Sequence, residues 1–482
     1  MRGRRVKEKT KKHLIESPDR RSFIRTATAG VASVGIASAM TGCAEESAEA
    51  TNEYDIIVIG GGFAGVTAAR DSSNRGHRTL LLEARARLGG RTFTSSFGGH
   101  DDIDLGGTWM GWSQPHVWSQ VMQYRMPIGE TASSGMTKAN WMDGGKLVSG
   151  DPGQWMEIFE RSLNKYYALA QQAFPRPFDP LYTDAKAELD NINAREAIEQ
   201  MDMSPLERDF ALSIAGINGH SDPSESSYLD QLRWFALGDL NVWNLWGNLG
   251  TYKIKGGTKK LLDAMHADGE ATTKLSSAVA SVHQGEAGVT VTTKRGEVYR
   301  ARAVIVAVPL NCVADIEFSP GISDVKARVS TERHTGSGTK VYVHIKKGLP
   351  VQLGSGTWDM PLNMLWTEYD DPDSQVLCGF GCSPEHLDIN DDDAVADAVH
   401  RFMPEAELMS SFGYDWNLDP YSKGTWCMYR PNVLTQDFEE LQRSEGSVYF
   451  AGADIADGWR GFIEGAIESG MRVARDVDVD LS

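Results

Sequence analysis

Cysteine is scarce in this chain, with five residues in 482. That number excludes a disulfide framework as the organising principle of so long a sequence. Cys43 falls in an N-terminal segment, and Cys312, Cys378, Cys382 and Cys427 are scattered among apolar residues. Cys378 and Cys382 share one face of a strand-like stretch. No further ligands lie near them, so buried free thiols are expected and a metal site is not. Basic charge is also in deficit: 48 Lys and Arg stand against 66 Asp and Glu, for a net charge of −18. Such a surface repels nucleic acid and anionic lipid and attracts cations, such as a protonated amine or a basic redox protein. The weakly apolar run at residues 26–40 is too short, and too rich in Ala, Gly, Ser and Thr, for a stable membrane span. Internal repeats are absent.

What is present reads as an ordinary globular enzyme behind a leader. The composition is 41% hydrophobic and 24% charged, with 49 glycines, a number that suits close backbone approach to a bulky ligand. Residues 19–25, Asp-Arg-Arg-Ser-Phe-Ile-Arg, form a twin-arginine export signal. Met40-Thr41-Gly42-Cys43 resembles a lipoprotein box, with lipidation expected at Cys43, and Ala37-Ser38-Ala39 offers a competing ordinary cleavage site. Residues 1–43 are therefore expected to be signal, and the acidic stretch 44–53 a flexible spacer. The expected location is the periplasm, with membrane contact only during export or through a lipid anchor. The twin-arginine route carries folded proteins, which suits one that takes up a cytoplasmic cofactor before export.

Residues 54–59 are apolar on both faces, as in a buried parallel strand. Gly60-x-Gly62-x-x-Gly65 then opens a helical pattern to about residue 74, and a second strand at 79–82 ends on Glu83. Gly60 permits the tight turn, Gly62 lets a pyrophosphate approach the backbone, and Gly65 lets helix and strand pack closely. The helix N-terminus offers free N–H groups to phosphate, and Glu83, 18 residues after Gly65, suits ribose hydroxyls. Strand, helix and acid in register predict a dinucleotide site. Arg87-Leu-Gly-Gly90-Arg91 reads as a second anion-binding loop, which favours a cofactor lying extended, as FAD does. Asp104-Leu-Gly-Gly107-Thr108-Trp109 and Phe450-Ala-Gly452-Ala453-Asp454 add close-approach turns, the last with a carboxylate. The segment 458–466 starts a final helix whose dipole suits the flavin N1–C2 region. Residues 113–248 look helical and rich in tryptophan with no clean strand series, while short strands recur from 279 onward.

These features predict an α/β protein: a Rossmann-type FAD-binding domain from residues 54–112, 250–315 and 445–482, interleaved with an α+β substrate domain from 113–249 and 316–444. The mature chain resembles the flavin monoamine oxidases. The stretches that carry the likeness are Gly60-Gly-Gly-Phe-Ala-Gly-Val-Thr-Ala-Ala-Arg70, residues 87–94, Phe174-Pro-Arg-Pro-Phe-Asp-Pro180, Arg233-Trp-Phe-Ala-Leu237, Tyr252-Lys-Ile-Lys-Gly-Gly-Thr258, residues 414–426 and residues 450–470. Within that family it looks most like the bacterial nicotine-catabolism enzymes, the pseudooxynicotine amine oxidases above all.

The resemblance implies an amine oxidase fold and FAD contacts at Gly60, Gly62, Ala64, Gly65, Glu83, Ala84, Arg85, Gly90, Arg91, Gly107, Thr108, Trp109, Val279, Gly452, Ala453, Asp454, Phe462 and Ile463. It implies that Lys340 holds a water near flavin N5, and that Trp426 and Phe462 are the two walls of an aromatic cage. The family usually has two tyrosines there, so this chain departs from its pattern. Thr425 stands where covalently flavinylated relatives have cysteine, so FAD is expected to be non-covalent. The implied partners are a small-molecule amine and either oxygen or a cytochrome c as electron acceptor, and self-association into a homo-oligomer is left open. Two rivals remain at this stage. An amino-acid oxidase would need Arg233 or Arg333 to pair with a substrate carboxylate. A non-catalytic flavoprotein subunit would have no use for Lys340 beside an intact cage.

Overall fold

The run 53–59 is apolar and β-branched through its buried half, and it becomes the central strand Glu53–Ile59 of an eight-stranded sheet. Its neighbours are Thr79–Leu82 on one side and Val298–Val306 on the other, both parallel to it. Thr272–Lys274 extends the parallel set beyond Thr79–Leu82, and Val448–Phe450 adds to Val298–Val306. An antiparallel wing of Gly288–Thr293 and Val279–Gly285 follows, closed by Glu317–Ser319. Ile56, Ile57, Val58, Leu80 and Leu81 are fully buried, which is why both faces of these strands read apolar. The computed structural model describes residues 53–183 and 186–482. The export signal, the lipoprotein box and the spacer up to residue 52 lie outside the described residues.

The helix Phe63–Asn74 crosses this sheet and packs on the C-terminal helix Ile463–Leu481. Small residues set the spacing: a Cβ on Gly470 would lie 2.5 Å from the carbonyl oxygen of Ala64. The C-terminal helix begins at Ile463, within the segment 458–466, because Gly461 takes φ +88° and Phe462 is the extended N-cap.

A second sheet has seven strands in the order Leu408–Gly413, Thr339–Lys346, Ser374–Gly381, Met364–Asp370, Gln352–Ser355, Lys138–Asp143 and Lys146–Gly150. The last two correct the expectation of no strand series between 113 and 248. They form a hairpin whose turn, Gly144-Gly145, has positive φ at both residues. A three-stranded sheet of Trp109–Met110, Tyr252–Ile254 and Ile128–Glu130 supplies a further strand in that range. Helices dominate the rest of it, from Pro152–Tyr166 through Pro205–Gly219 and Tyr228–Leu237 to Val242–Gly250. Ser204 and Glu207 close a reciprocal capping box at the start of Pro205–Gly219.

Candidate active site

One continuous cavity is lined by residues of both large sheets and of the helices between them. Its lining falls into two groups of different chemistry.

The first group is glycine-rich. Gly60, Gly62, Ala64, Glu83, Ala84, Arg85, Gly90, Arg91, Gly107, Thr108, Val279, Gly452 and Ala453 all line the cavity. Gly60 has φ +107°, and its Cβ would strike the Ala307 carbonyl at 2.7 Å. A Cβ on Gly62 would meet only Gly89 and Gly90, at 3.9 to 4.0 Å, so the two glycine turns lie side by side in ordinary contact along the cavity. The first N–H groups of the Phe63–Asn74 helix have no partner within the helix, and Phe63 and Ala64 line the cavity. Buried Glu83 accepts from the Gly61 N–H and the Arg85 N–H at 2.7 Å each, and keeps acceptor capacity toward the cavity. A carboxylate, a pair of side-chain-free turns and a helix N-terminus match ribose, diphosphate and dinucleotide length, so the residues present fit FAD.

Three expectations here need correction. Gly65 does not line the cavity: its Cβ would lie 1.8 Å from the Gly60 carbonyl oxygen, so it serves packing alone. Asp454 does not line it either. It is buried, accepting from Arg91 at 2.6 Å and from the Leu310 N–H at 3.0 Å, and the arginine beside it holds its carboxyl below the usual range despite burial. The arginines of the 87–91 loop are not aimed at an anion. Arg87 donates to the carbonyls of Leu88, Gly90 and Thr92 and lies over Phe93, so it holds the loop's own shape. Arg91 is neutralised by Asp454 and donates to the Thr425 carbonyl, and Arg85 is bound to Asp419 and Ser422.

The second group is aromatic. Trp426 and Phe462 line the cavity, and so do Trp109 and Ile463. Trp234, Trp246, Trp366 and Phe380 join them, none of which sequence reasoning picked out as a wall. Trp366 lies 5.5 Å from Trp109 and 5.3 Å from Phe380 by ring centroids, and Phe380 lies 5.5 Å from Trp426. Phe462 packs edge-on to Trp234 at 4.8 Å. Period-two alternation in the strands Met364–Asp370 and Ser374–Gly381 was the available signal, but it does not say which face looks into a cavity.

Buried His220 was also missed. It stacks flat on Trp426, with centroids 3.8 Å apart and planes at 6°. Its Nε2 meets the Thr339 carbonyl at 3.2 Å, which fixes the proton there and leaves Nδ1 to accept from the Thr425 hydroxyl at 2.8 Å. Burial pushes its pKa down to about 3, so the ring is neutral.

Lys340 sits on Thr339–Lys346 with its ammonium 4.5 Å from the Trp109 ring centre. The three hydrogens of that ammonium are matched by three protein acceptors: Asp104 O at 2.7 Å, Gly106 O at 3.0 Å and Thr108 Oγ1 at 2.7 Å. The expected water therefore has to displace one of them. Burial lowers the lysine pKa from its ordinary value.

The charged lining residues are Glu83, Arg85, Arg91, Lys294, Asp315 and Lys340. Lys340 is the one among the aromatic walls. Arg233 is fully buried against Asp230 and the Gly458 carbonyl, and Arg333 is exposed beyond the helix Asp324–Glu332. Neither lines the cavity, so the residues an amino-acid oxidase would need are not where a carboxylate substrate would sit. The four cysteines in the described residues are free and buried, and Cys312 alone of them reaches the cavity wall.

The family described as flavin containing amine oxidoreductase matches residues 63–478. A pseudooxynicotine dehydrogenase of Pseudomonas sp. is 42% identical over 430 residues, covering 88% of this chain and 86% of the relative. A nicotine dehydrogenase of Pseudomonas putida is 36% identical, over 99% of this chain and all of the relative. Among solved structures, cyclohexylamine oxidase from Brevibacterium oxydans superposes with TM-score 0.77 at 21% identity, over 89% of this chain and 99% of the other. At that identity the likeness speaks for the fold, while the sequence matches reach further. This chain belongs to the family of flavin containing amine oxidoreductases, an enzyme that uses FAD to oxidise small-molecule amines.

Proposed function

We propose that the enzyme oxidises pseudooxynicotine to 3-succinoylsemialdehyde-pyridine and methylamine, as a step of nicotine degradation. The observation that carries this reading is the aromatic group of lining residues, which presents flat apolar faces and no guanidinium or carboxylate partner for a charged substrate. A pyridyl ketone with a secondary amine is flat at one end and needs no counter-ion once its nitrogen is neutral. An alkylamine has a pKa of about 10.4, and a cage without a fixed anion favours its neutral form. The relative named pseudooxynicotine dehydrogenase supports the same substrate.

In this reading Trp426 and Phe462 hold the amine by dispersion and ring-face contacts and orient its C–H, and positioning supplies a large part of the rate. Bound FAD supplies the two-electron acceptor for the C–H bond next to nitrogen. Glu83, the Gly62 and Gly90 turns and the Phe63–Asn74 helix N-terminus hold that cofactor, without a covalent bond. The apolar walls exclude water until the substrate has become an iminium, which water then hydrolyses to aldehyde and methylamine. Neutral His220 leaves Lys340 as the cation near the walls.

We further infer that the twin-arginine signal at Arg20 and Arg21 directs the enzyme to the periplasm, with Cys43 lipidated or removed by cleavage after Ala39. There the electron acceptor is oxygen or a cytochrome c. The acidic chain would attract a basic cytochrome. The test is anaerobic titration with pseudooxynicotine and nicotine, followed by reoxidation with oxygen or cytochrome c. Pseudooxynicotine is expected to bleach the flavin. A flavin that responds to nicotine or to an amino acid instead, or to no amine, defeats the assignment.

A further inference from the structure

Trp366 belongs to the strand Met364–Asp370, whose pairing with Ser374–Gly381 is interrupted. Partners run Met364↔Phe380, Leu365↔Gly379, Trp366↔Cys378 and Thr367↔Leu377, then skip to Tyr369↔Val376. Glu368 is the extra residue of this bulge. A bulge leaves one residue out of the ladder and re-aims the side chains around it. Here the Glu368 carboxylate accepts from the Trp366 indole N–H at 2.8 Å with Oε2, and from Lys253 Nζ at 2.6 Å with Oε1. Lys253 lies on Tyr252–Ile254, directly opposite Trp109 in the small sheet. One carboxylate thus ties the Trp366 ring to the strand that pairs with Trp109.

Both ion-pair partners are buried, with 2% of Glu368 and 7% of Lys253 exposed. Taking two charges out of water costs several kcal/mol each, roughly, and a packed apolar pair of similar volume is often as stable. Stability alone therefore does not account for this pair. Neither residue lines the cavity, whereas Trp366 and Trp109 both do. What the pair fixes is their relation: centroids 5.5 Å apart and planes at 59°.

We propose that Lys253 and Glu368 are positioning residues that hold Trp366 as the surface reading the flat arm of the amine substrate, so that selectivity for amines with an aromatic arm depends on them. The proposal rests on the amine reading above. It separates two substrates that present the same nitrogen: pseudooxynicotine, with its pyridyl ketone, and N-methylbutylamine, without it.

The experiment measures anaerobic flavin reduction against concentration of each amine in the wild type, Glu368→Gln, Trp366→Phe and the combination. Binding of 3-acetylpyridine, followed by the shift it causes in the oxidised flavin spectrum, is measured alongside as a readout that needs no turnover. Glu368→Gln is expected to raise half-saturation for pseudooxynicotine about tenfold, leave that for N-methylbutylamine and both limiting rates within about twofold, and weaken 3-acetylpyridine binding in parallel. In the Trp366→Phe background, which has no indole N–H, Glu368→Gln is expected to add less than about twofold. Should Glu368→Gln fail to fold with an unpaired Lys253, the Lys253→Met/Glu368→Gln double substitution removes both charges together and carries the same expectations.

Equal losses for both amines, no loss for either, or effects that multiply fully in the Trp366→Phe background would overturn the proposal while leaving the amine reading intact. A wild-type flavin that no amine bleaches removes the amine reading and the proposal together.

Discussion

Lys340 is the residue on which chemistry and architecture meet. Its ammonium is saturated by Asp104 O, Gly106 O and Thr108 Oγ1, so it shapes the 104–109 turn whether or not a water joins it. Lys340→Met is expected to slow flavin reduction by at least about tenfold with FAD still bound. It should also lose about 1–3 kcal/mol of stability through its orphaned acceptors. Stopped-flow reduction and thermal melting separate the two effects, and a stability loss with unchanged reduction would leave Lys340 a purely structural role.

His220 carries a pH signature. Its folded pKa of about 3 lies below the ordinary 6.5, so the unfolded chain binds the extra proton between those values. Stability from this group is complete above about 6.5 and is lost as pH falls toward 3. Asp104, raised to about 6 by burial, acts with the opposite sign between 3.8 and 6. His220→Gln is therefore expected to flatten the fall in melting temperature between pH 6.5 and 5, measured against wild type. An unchanged slope would contradict a buried neutral imidazole.

At the scale of elements, the glycines of the first turn divide by what they face. Gly65 has the Gly60 carbonyl where a Cβ would go, and Gly62 lines the cavity with only ordinary contacts at 3.9 to 4.0 Å around its Cβ position. Gly65→Ala is expected to destabilise the apoprotein by about 1–3 kcal/mol through forced repacking. Gly62→Ala, at an ordinary φ of −78°, is expected to leave apoprotein melting nearly unchanged and to weaken FAD binding. Calorimetry of the apoprotein and FAD titration check the pair, and equal losses in both would mean that the turns do not face a ligand.

The first strand–turn–helix was legible because every signal in it is local: an apolar run, three spaced glycines and an acid at the next strand end. The hairpin Lys138–Asp143/Lys146–Gly150 escaped notice because its strands are partly exposed and short, and the helical, tryptophan-rich surroundings dominated the reading. The bulge at Glu368 was invisible for a stronger reason: it exists only relative to the partner strand.

At the scale of the whole molecule, residues of both large sheets line the one cavity. Thr425 bonds to His220 through its hydroxyl, and Cys427 does not reach the cavity wall. Acid precipitation is accordingly expected to leave yellow FAD in the supernatant, and colour remaining with the pellet would show a covalent link.

The amino-acid order by itself pointed to an FAD cofactor and to the family of flavin amine oxidoreductases, because those features are written in contiguous residues. It also brought Lys340, Trp426 and Phe462 forward by likeness to relatives. Tertiary structure alone decided which arginines are already paired, and that Trp109, Trp366, Phe380 and His220 complete the wall. Those properties depend on distances between segments up to hundreds of residues apart, and periodicity along a chain carries no record of such distances.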